Sequence, residues 1–356
     1  MVDDQADQKE FIRLERISSV RWPRRIAFAL ATTIAVLLNL WAATAIYFDS
    51  PLASLRTPAA VLYLVTILTA LFFLRRSHKG LIVALAGFAL VATWWLSMKP
   101  SNERDWKPDY ALTASAEVKG DQVTIHNIRN CDYRTEQDFS CQWDVRSYNL
   151  ANLRGVDLFI DWWGSPWIAH PIVSFDFGDQ GRVAVSIETR QMVGQSYSAI
   201  RGFFHQYALS YIVSDERDVV RLRTNYRKDE EVYLFRTTVT PMLARKIFLD
   251  YLQRVNSLNE RPEWYNALTN NCTTNIAVSA AEASDIRVRL DWRILLNGKM
   301  DEMLYEHNRL VTDGLPFTAL KEQAHINAAA KAAGMSPEFS RLVREGRIGF
   351  NSNDLR

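Results

Sequence analysis

Three long stretches near the start of the chain contain no charged residue. They span 26–48, 57–74 and 80–98. Uncharged apolar runs of about 18 or more residues are typical of helices that cross a membrane, because they can span its hydrocarbon core. The pattern therefore predicts a three-helix membrane anchor at 26–98. A helical hairpin buried inside a soluble protein is the alternative, but it would have to bury equally long uncharged runs.

Basic residues flank these runs unevenly. The loop 75–79 is densely basic, whereas the loop 49–56 holds one Arg and one Asp. Five arginines precede the first run: Arg13, Arg16, Arg21, Arg24 and Arg25. Positive charge stays on the cytoplasmic side, and the first run is longer than the apolar part of a signal peptide. We therefore expect a multi-pass membrane protein with residues 1–25 in the cytoplasm and its larger domain outside it.

Beyond the anchor, polar and apolar positions form shorter blocks. Short runs rich in apolar and β-branched residues predict strands at 122–128, 155–163, 167–177 and 182–190. Two further runs, 218–224 and 231–237, are expected to form a second strand pair around 227–229. Apolar residues at helical spacing predict helical regions at 240–257, 272–284 and 315–347. The Gly-rich break at 178–181 is typical of a hairpin. We expect an α+β domain at 121–356, with an antiparallel sheet and packed helices, after a linker at 99–120.

Charge and motifs narrow the possible functions. The chain has 42 basic and 40 acidic residues and a formal net charge of +2. This balance argues against a strongly basic nucleic-acid-binding protein and against an acidic disordered tail. The sequence also has no phosphate-binding loop, dinucleotide motif or metal-ligand spacing. We expect no cofactor, no metal and no nucleic-acid partner.

The three cysteines all follow the anchor. Cys131 and Cys141 are ten residues apart, and an oxidising compartment favours a disulfide between them. This pairing leaves Cys272 free. An unpaired cysteine in an exported domain suggests a reactive thiol, although a lone cysteine is more often a small buried apolar residue. Its surroundings must decide between the two.

Cys272 stands at the start of a predicted helix, after Asn270 and Asn271. The partial positive charge and free N–H groups of a helix N-terminus favour a thiolate and can hold an oxyanion. Such a nucleophile needs a base, usually His. His170 differs from the other five histidines because it lies in a predicted apolar strand. A buried core histidine is the alternative.

A third group should orient the base, and the next strand offers Ser186, Glu188 and Thr189. A two-residue turn at 179–180 would place His170 opposite Thr189. A shift by one residue would place Glu188 there instead. The register stays open, and we predict Glu188 because an otherwise apolar strand has little other reason to carry a carboxylate.

Two segments, AHPIVSF and NNCTTNI, are fairly specific when they occur together. With VAVSIETR and Tyr265 they resemble the Lnb N-terminal periplasmic domain family, from about Asp105 to 338–346. A strand His followed by a helix-initiating Asn-Cys is also the order of circularly permuted papain-like enzymes, among them lecithin:retinol acyltransferase-like proteins and NlpC-like peptidases. The resemblance implies a permuted papain-like (NlpC-like) fold with Cys272 as nucleophile and His170 as base. Tyr265, Asn271 and Ser186 are candidates for oxyanion or substrate contacts.

A Cys–His pair outside the cytoplasm suits acyl transfer from an amide, and peptidoglycan stem peptides are the amide polymer there. Family members of this kind look like peptidoglycan endopeptidases, some associated with type VI secretion. The resemblance thus implies a protein of a bacterial inner membrane with its catalytic domain in the periplasm. We therefore predict a membrane-anchored cysteine hydrolase, an endopeptidase or amidase that serves type VI secretion or envelope remodelling. One alternative is a non-catalytic envelope scaffold, favoured if Cys272 is buried beyond hydrogen-bond reach of His170. The other is a thiol acyltransferase, favoured by a pocket that opens toward the membrane.

Overall fold

The structure is a computed structural model that describes residues 3–74, 78–284, 291–294 and 296–350. It divides into two compact units, Met1–Met98 and Lys99–Arg356. Each unit is described by itself.

The first unit consists of three packed helices. They are α1 (Asp3–Asp49), α2 (Arg56–Phe73) and α3 (Lys79–Ser97). Three stretches are long and apolar enough to cross a membrane: Trp22–Asp49 within α1, Ala53–Phe73, which includes α2, and Lys79–Ser97, which is α3. The prediction of three apolar helices is confirmed, although α1 begins well before residue 26. Arg75 and Arg76 of the basic loop lie outside the described residues.

A polar side chain lies in the middle of this helical unit. The Asn39 amide donates to the carbonyl oxygen of Ala35 at 2.8 Å and to that of Ala84, on α3, at 3.1 Å. Its oxygen accepts a hydrogen bond from the Tyr63 hydroxyl of α2. Polar side chains link helices in apolar surroundings because their alternative is an unsatisfied group. Asn39 thus joins all three helices.

The second unit is an α+β domain built on an eight-stranded sheet. Its strands are β1 (Ser115–Lys119), β2 (Gln122–Tyr133), β3 (Phe139–Asn149), β4 (Gly155–Trp163), β5 (Ala169–Asp176), β6 (Arg182–Arg190), β7 (Ala208–Ser214) and β8 (Glu230–Arg236). The strand order is β1-β2-β7-β6-β5-β4-β8, with β3 paired to β2. Every described pair is antiparallel except β2–β7. The mixed α+β expectation is confirmed.

Helices cover both faces of the sheet. They are α4 (Glu216–Arg221), α5 (Pro241–Glu260), α6 (Cys272–Ser284), α7 (Met300–Glu306), α8 (Phe317–Ala324), α9 (Asn327–Ala333) and α10 (Phe339–Leu342). On one face, Phe175 packs against Phe248 of α5, with ring centroids 4.8 Å apart. On the other, Phe159 lies in a cluster with Phe339 of α10. Burial on both faces explains why β4, β5 and β6 have nearly continuous apolar sequences.

The segment 218–224, which we expected to be a strand, is helical. It lies in α4 and in a π-helical turn, Leu222–Tyr226. Asp215 caps α4 by accepting from the Arg217 N–H at 2.9 Å. The two adjacent valines of this segment predict that it is buried. The structure buries it against a face of the sheet and not as one of the strands. The prediction at 231–237 is confirmed by β8, which pairs with β4.

The segment 99–120, which we expected to be a linker, is packed onto the sheet. Trp106 is buried, the Arg190 guanidinium lies 4.4 Å from its ring centroid, and β1 pairs with β2. Pro100 and Pro108 make the segment resemble a linker in composition, but the buried ring of Trp106 holds it against the sheet. The boundary between the two units therefore lies at Met98 and Lys99.

Strands β5 and β6 separate at one end of the sheet. They pair from Asp176 opposite Arg182 to Ile172 opposite Ser186, and the described ladder ends there. Beyond this point β5 continues to Ala169 along β4, while β6 continues along β7. We call this separation, between residues 169–171 and 187–190, the fork. It positions the candidate site.

Candidate active site

A cavity of about 990 Å³ lies at the fork. Its walls include consecutive residues of both strands, among them Ala169 and His170 of β5 and Ile187 and Glu188 of β6. Consecutive residues of a strand point to opposite faces of a sheet, so the cavity is reached from both faces. Cys272 lines the same cavity.

Local capping explains how Cys272 is positioned. The Asn271 side-chain oxygen accepts from the Thr274 N–H at 3.0 Å, and the Asn271 N–H donates to the Thr274 hydroxyl at 2.9 Å. This reciprocal cap fixes the start of α6, and Cys272 is the first residue of that helix. The sequence expectation for this helix start is met.

The expectation that the helix start favours a thiolate is wrong for this structure. Burial raises the pKa of Cys272 to about 11, although hydrogen bonds from Thr273 and from the first backbone N–H groups act in the opposite direction. The side chain of Cys272 is 9% exposed. Desolvation of the charged form outweighs the helix N-terminus, so the thiol is protonated near neutral pH.

His170 belongs to a hydrogen-bonded chain that fixes its tautomer. The Ser186 hydroxyl lies 2.7 Å from His170 Nε2 and donates to Glu188 Oε1 at 2.7 Å. Because Ser186 gives its proton to the carboxylate, it accepts from the imidazole, and Nε2 carries the proton. Nδ1 then holds the lone pair, and it has no hydrogen-bond partner among the described residues. Trp163 stacks on the ring, with centroids 5.9 Å apart.

Charged neighbours set the protonation of this chain. Burial and the nearby Arg223 guanidinium lower the pKa of His170 to about 3. Burial opposes ionisation of Glu188, yet the Arg223 guanidinium, 2.9 Å from its Oε1, holds its pKa well below the ordinary range. Tyr110 donates to the other carboxylate oxygen at 2.5 Å. Glu188 is therefore ionised and His170 neutral at neutral pH.

The register of β5 and β6, extended beyond its last described pair, places Glu188 rather than Thr189 opposite His170. Paired positions of β5 and β6 sum to 358, as in Ile172 opposite Ser186. Even so, Glu188 reaches the imidazole only through Ser186. Ser186, a candidate for substrate contact, lies behind the imidazole as part of its support.

Cys272 and His170 share the cavity without bonding to each other. Among the described residues, the hydrogen-bond partners of the thiol are Thr273 and Asn297, and that of the imidazole is Ser186. Alternation along β5 places His170 on the face covered by α4, whereas Cys272 belongs to the core on the α5 face. At the fork, one cavity is lined by residues from both faces of the sheet.

The remaining candidates have defined places. Tyr265 lines the cavity, donates to Tyr197 and has a pKa raised by burial. The Asn271 amide is occupied, because its nitrogen donates to the Ala267 carbonyl at 2.8 Å and its oxygen caps α6. Tyr265 thus forms part of the cavity wall, while Asn271 shapes the site through the backbone.

Sequence reasoning missed Asn297. Its side-chain nitrogen donates to Thr273 Oγ1 at 2.8 Å and lies 4.0 Å from Cys272 Sγ, and its oxygen accepts from the Ala169 N–H at 2.8 Å. It thus links the nucleophile helix to the strand of His170. Asn297 follows Cys272 by 25 residues in an irregular segment, so no periodicity singles it out. The Asn-Gly pair at 297–298 is the only local signal, and it indicates a turn.

Cys131 and Cys141 are disulfide-bonded and lie opposite each other on β2 and β3, and Cys272 is free. The hairpin they close contributes Glu136, Gln137 and Phe139 to the cavity wall. The disulfide therefore braces one side of the candidate site.

Comparison with known families gives one match. Residues 139–298 match the family model described as the Lnb N-terminal periplasmic domain. The match runs from β3 to the residue after Asn297, so it includes Cys272, His170 and Glu188, but it is shorter than the resemblance from Asp105 to 338–346. Curated proteins and solved structures give no match. Together with the three apolar helices near the N-terminus, this match indicates a membrane-anchored protein with a periplasmic domain.

Proposed function

We propose that the protein is a periplasmic cysteine hydrolase that cleaves amides of peptidoglycan stem peptides. The observation that carries the proposal is the shared cavity, in which a helix-initiating thiol and an imidazole with its Nδ1 lone pair free line the same walls. The fold we propose is the permuted papain-like one, since a strand His precedes a helix-starting Cys along the chain.

In the proposed reaction His170 acts as a general base. Its Nδ1 takes the thiol proton as Cys272 Sγ bonds to the scissile carbonyl carbon, and the carbonyl π pair moves to oxygen. Collapse of this intermediate expels the amine, which takes the proton from His170, and leaves a thioester. Water then attacks the thioester by the same route and releases the carboxylic acid. Ionised Glu188, acting through Ser186, stabilises the imidazolium in each step.

The membrane anchor supports peptidoglycan as the substrate class. Three spans with the N-terminus in the cytoplasm would place the larger unit in the periplasm, where stem peptides are the abundant amides. The membrane-anchored protein with a periplasmic domain would then be a multi-pass enzyme of the inner membrane. A tethered hydrolase acts locally, which suits type VI secretion or envelope remodelling.

A non-catalytic envelope scaffold is the second candidate. The burial of Cys272, its raised pKa and the missing hydrogen bond to His170 favour it. Catalytic hydrogen bonds of unliganded sites are often long and shorten only with substrate, so this geometry also fits a resting enzyme. Turnover decides between them.

The test is digestion of muropeptides by the purified full-length protein in detergent. Wild type should release new termini, whereas Cys272→Ala, His170→Ala and the double variant should all lose turnover. Loss of a general base costs about 10²–10⁴-fold, and groups that act as a unit give non-additive losses. Glu188→Gln should be milder than either single variant.

Two results would decide against the hydrolase. Full turnover in folded Cys272→Ala would remove the proposed nucleophile. No turnover by wild type on muropeptides of every stem composition, with envelope function retained in Cys272→Ala, would establish the scaffold instead.

A further inference from the structure

We propose that Asn297 is the side-chain hydrogen-bond donor that stabilises negative charge at Cys272. The charge lies first on the sulfur and then on the oxygen of the carbonyl carbon to which the sulfur bonds. The second part rests on the proposed hydrolase function. The first part concerns the thiol alone and holds whether or not the protein turns over a substrate.

Two hydrogen bonds fix which way the Asn297 amide points. Its oxygen accepts from the backbone N–H of Ala169, so the nitrogen must lie at the other end. There it donates one proton to Thr273 Oγ1 at 2.8 Å. The second proton is left for Cys272 Sγ, 4.0 Å away. An amide held at both ends is a preorganised donor, which is the property an oxyanion site requires.

The backbone around Asn297 is also held firmly. The Gly298 N–H donates to the Trp167 carbonyl at 3.0 Å, and Trp162 Nε1 donates to the Gly298 carbonyl at 3.0 Å. A Cβ at Gly298 would come within 2.4 Å of the Trp167 backbone, so only glycine fits this approach. The turn therefore cannot move away from Cys272 without breaking the start of β5.

Asn297 also occupies a structural gap. At the fork, Ala169 has left the β5–β6 ladder, and the Asn297 oxygen takes the place of a strand partner for its N–H. The same side chain thus stabilises the opening at which His170 lies and contacts the nucleophile. A purely structural amide would need only the first of these contacts.

The test uses Asn297→Asp, which keeps the oxygen that accepts from Ala169 and replaces the donor nitrogen with an acceptor. Cys272 is the one free thiol of the chain, so iodoacetamide alkylation of the full-length protein reports on it alone. We expect the alkylation rate at pH 9 to fall at least tenfold in this variant. If the proposed function holds, kcat on muropeptides should fall by a similar or larger factor, with little change in KM.

Asn256→Asp is the matched control. The Asn256 amide also accepts from one backbone N–H and donates to one carbonyl, both of Ala116 at 2.8 Å, and it does not line the cavity. It should leave alkylation unchanged. If Asn297→Asp fails to fold, Asn297→Ala removes the donor without adding a charge. Slower alkylation is expected for that variant as well.

The outcomes separate the two proposals. Slower alkylation in Asn297→Asp without wild-type turnover supports the donor and counts against the hydrolase. Unchanged alkylation in folded Asn297→Asp, or in folded Asn297→Ala where the Asp variant does not fold, overturns the donor assignment. Wild-type turnover that survives in these variants would leave the hydrolase standing without it.

Discussion

Burial controls the charge state of both reactive side chains. The thiol of Cys272 and the imidazole of His170 each keep their neutral form, since the cavity walls remove water from them. In the proposed reaction, a pair in this state would transfer a proton during attack rather than before it. It differs in this respect from a preformed thiolate–imidazolium pair.

Alkylation of Cys272 should therefore be slow and strongly pH-dependent. With a pKa of about 11, the thiolate fraction rises about tenfold per pH unit from pH 7 to 10. The rate of iodoacetamide alkylation of the native protein should rise by the same factor over this pH range. A plateau already reached by pH 8 would show an activated thiol instead.

The imidazole predicts a pH dependence of stability. The folded pKa of His170, about 3, is below its ordinary value of 6.5, so between these values only the unfolded chain binds the proton. The contribution of His170 to the free energy of unfolding should decline as the pH falls from about 6.5 to 3, by roughly 5 kcal/mol at most. His170→Gln should flatten this decline when urea titrations are repeated across this pH range, and an unchanged decline would show that other groups cause it.

At the level of elements, the cap of α6 holds Cys272 in place. Asn271→Ala removes the acceptor for the Thr274 N–H and should lower the free energy of unfolding by about 1 kcal/mol. Asn271→Asp keeps that acceptor and should cost less. Urea unfolding of both variants checks the order, and equal losses would mean that the cap contributes little.

The sequence predicted elements where one periodicity dominated. Strands β4, β5 and β6 and helices α5 and α6 followed from apolar spacing and caps. The segment 218–224 did not, because its apolar residues are adjacent and fit either a strand or a short buried helix. Helix α4 forms there because buried ion pairs such as Asp218 with Arg129 hold it, and sequence alone does not reveal such distant partners.

The candidate site was predictable to a similar degree. Cys272 and His170 stood out by residue type and position, whereas the route from His170 to Glu188 depended on strand register and on Ser186 as intermediate. Asn297 could not be found, since it acts through a contact between a turn and two distant elements. Each failure concerns a tertiary relation rather than a local preference.

At the scale of the whole molecule, the exported unit extends beyond the family match. Arg344, which follows α10, is fully buried and pairs with Glu216 at 2.6 Å and with Asp157 at 2.7 Å. Arg344→Met would leave two buried carboxylates without this cation, and we expect a loss of about 3–5 kcal/mol. Arg341→Met, on the solvent side of α10, should leave the thermal midpoint nearly unchanged. Thermal unfolding of the two variants measures the difference.

The orientation in the membrane is the prediction that fixes the substrate class. A phosphatase fused after residue 105 should be active, because this enzyme folds only outside the cytoplasm, and a fusion after residue 77 should be inactive. The reverse pattern would place the cavity on the cytoplasmic side and remove peptidoglycan as substrate.

The disulfide-braced hairpin gives the cavity a dependence on cellular compartment. Glu136, Gln137 and Phe139 belong to a wall whose two strands are joined by Cys131 and Cys141. Such bonds persist in oxidising compartments and are rare in the reducing cytosol. If the larger unit is exported as proposed, a newly made chain would hold this wall without its covalent brace until translocation, and the cavity would reach its final form only outside the cytoplasm.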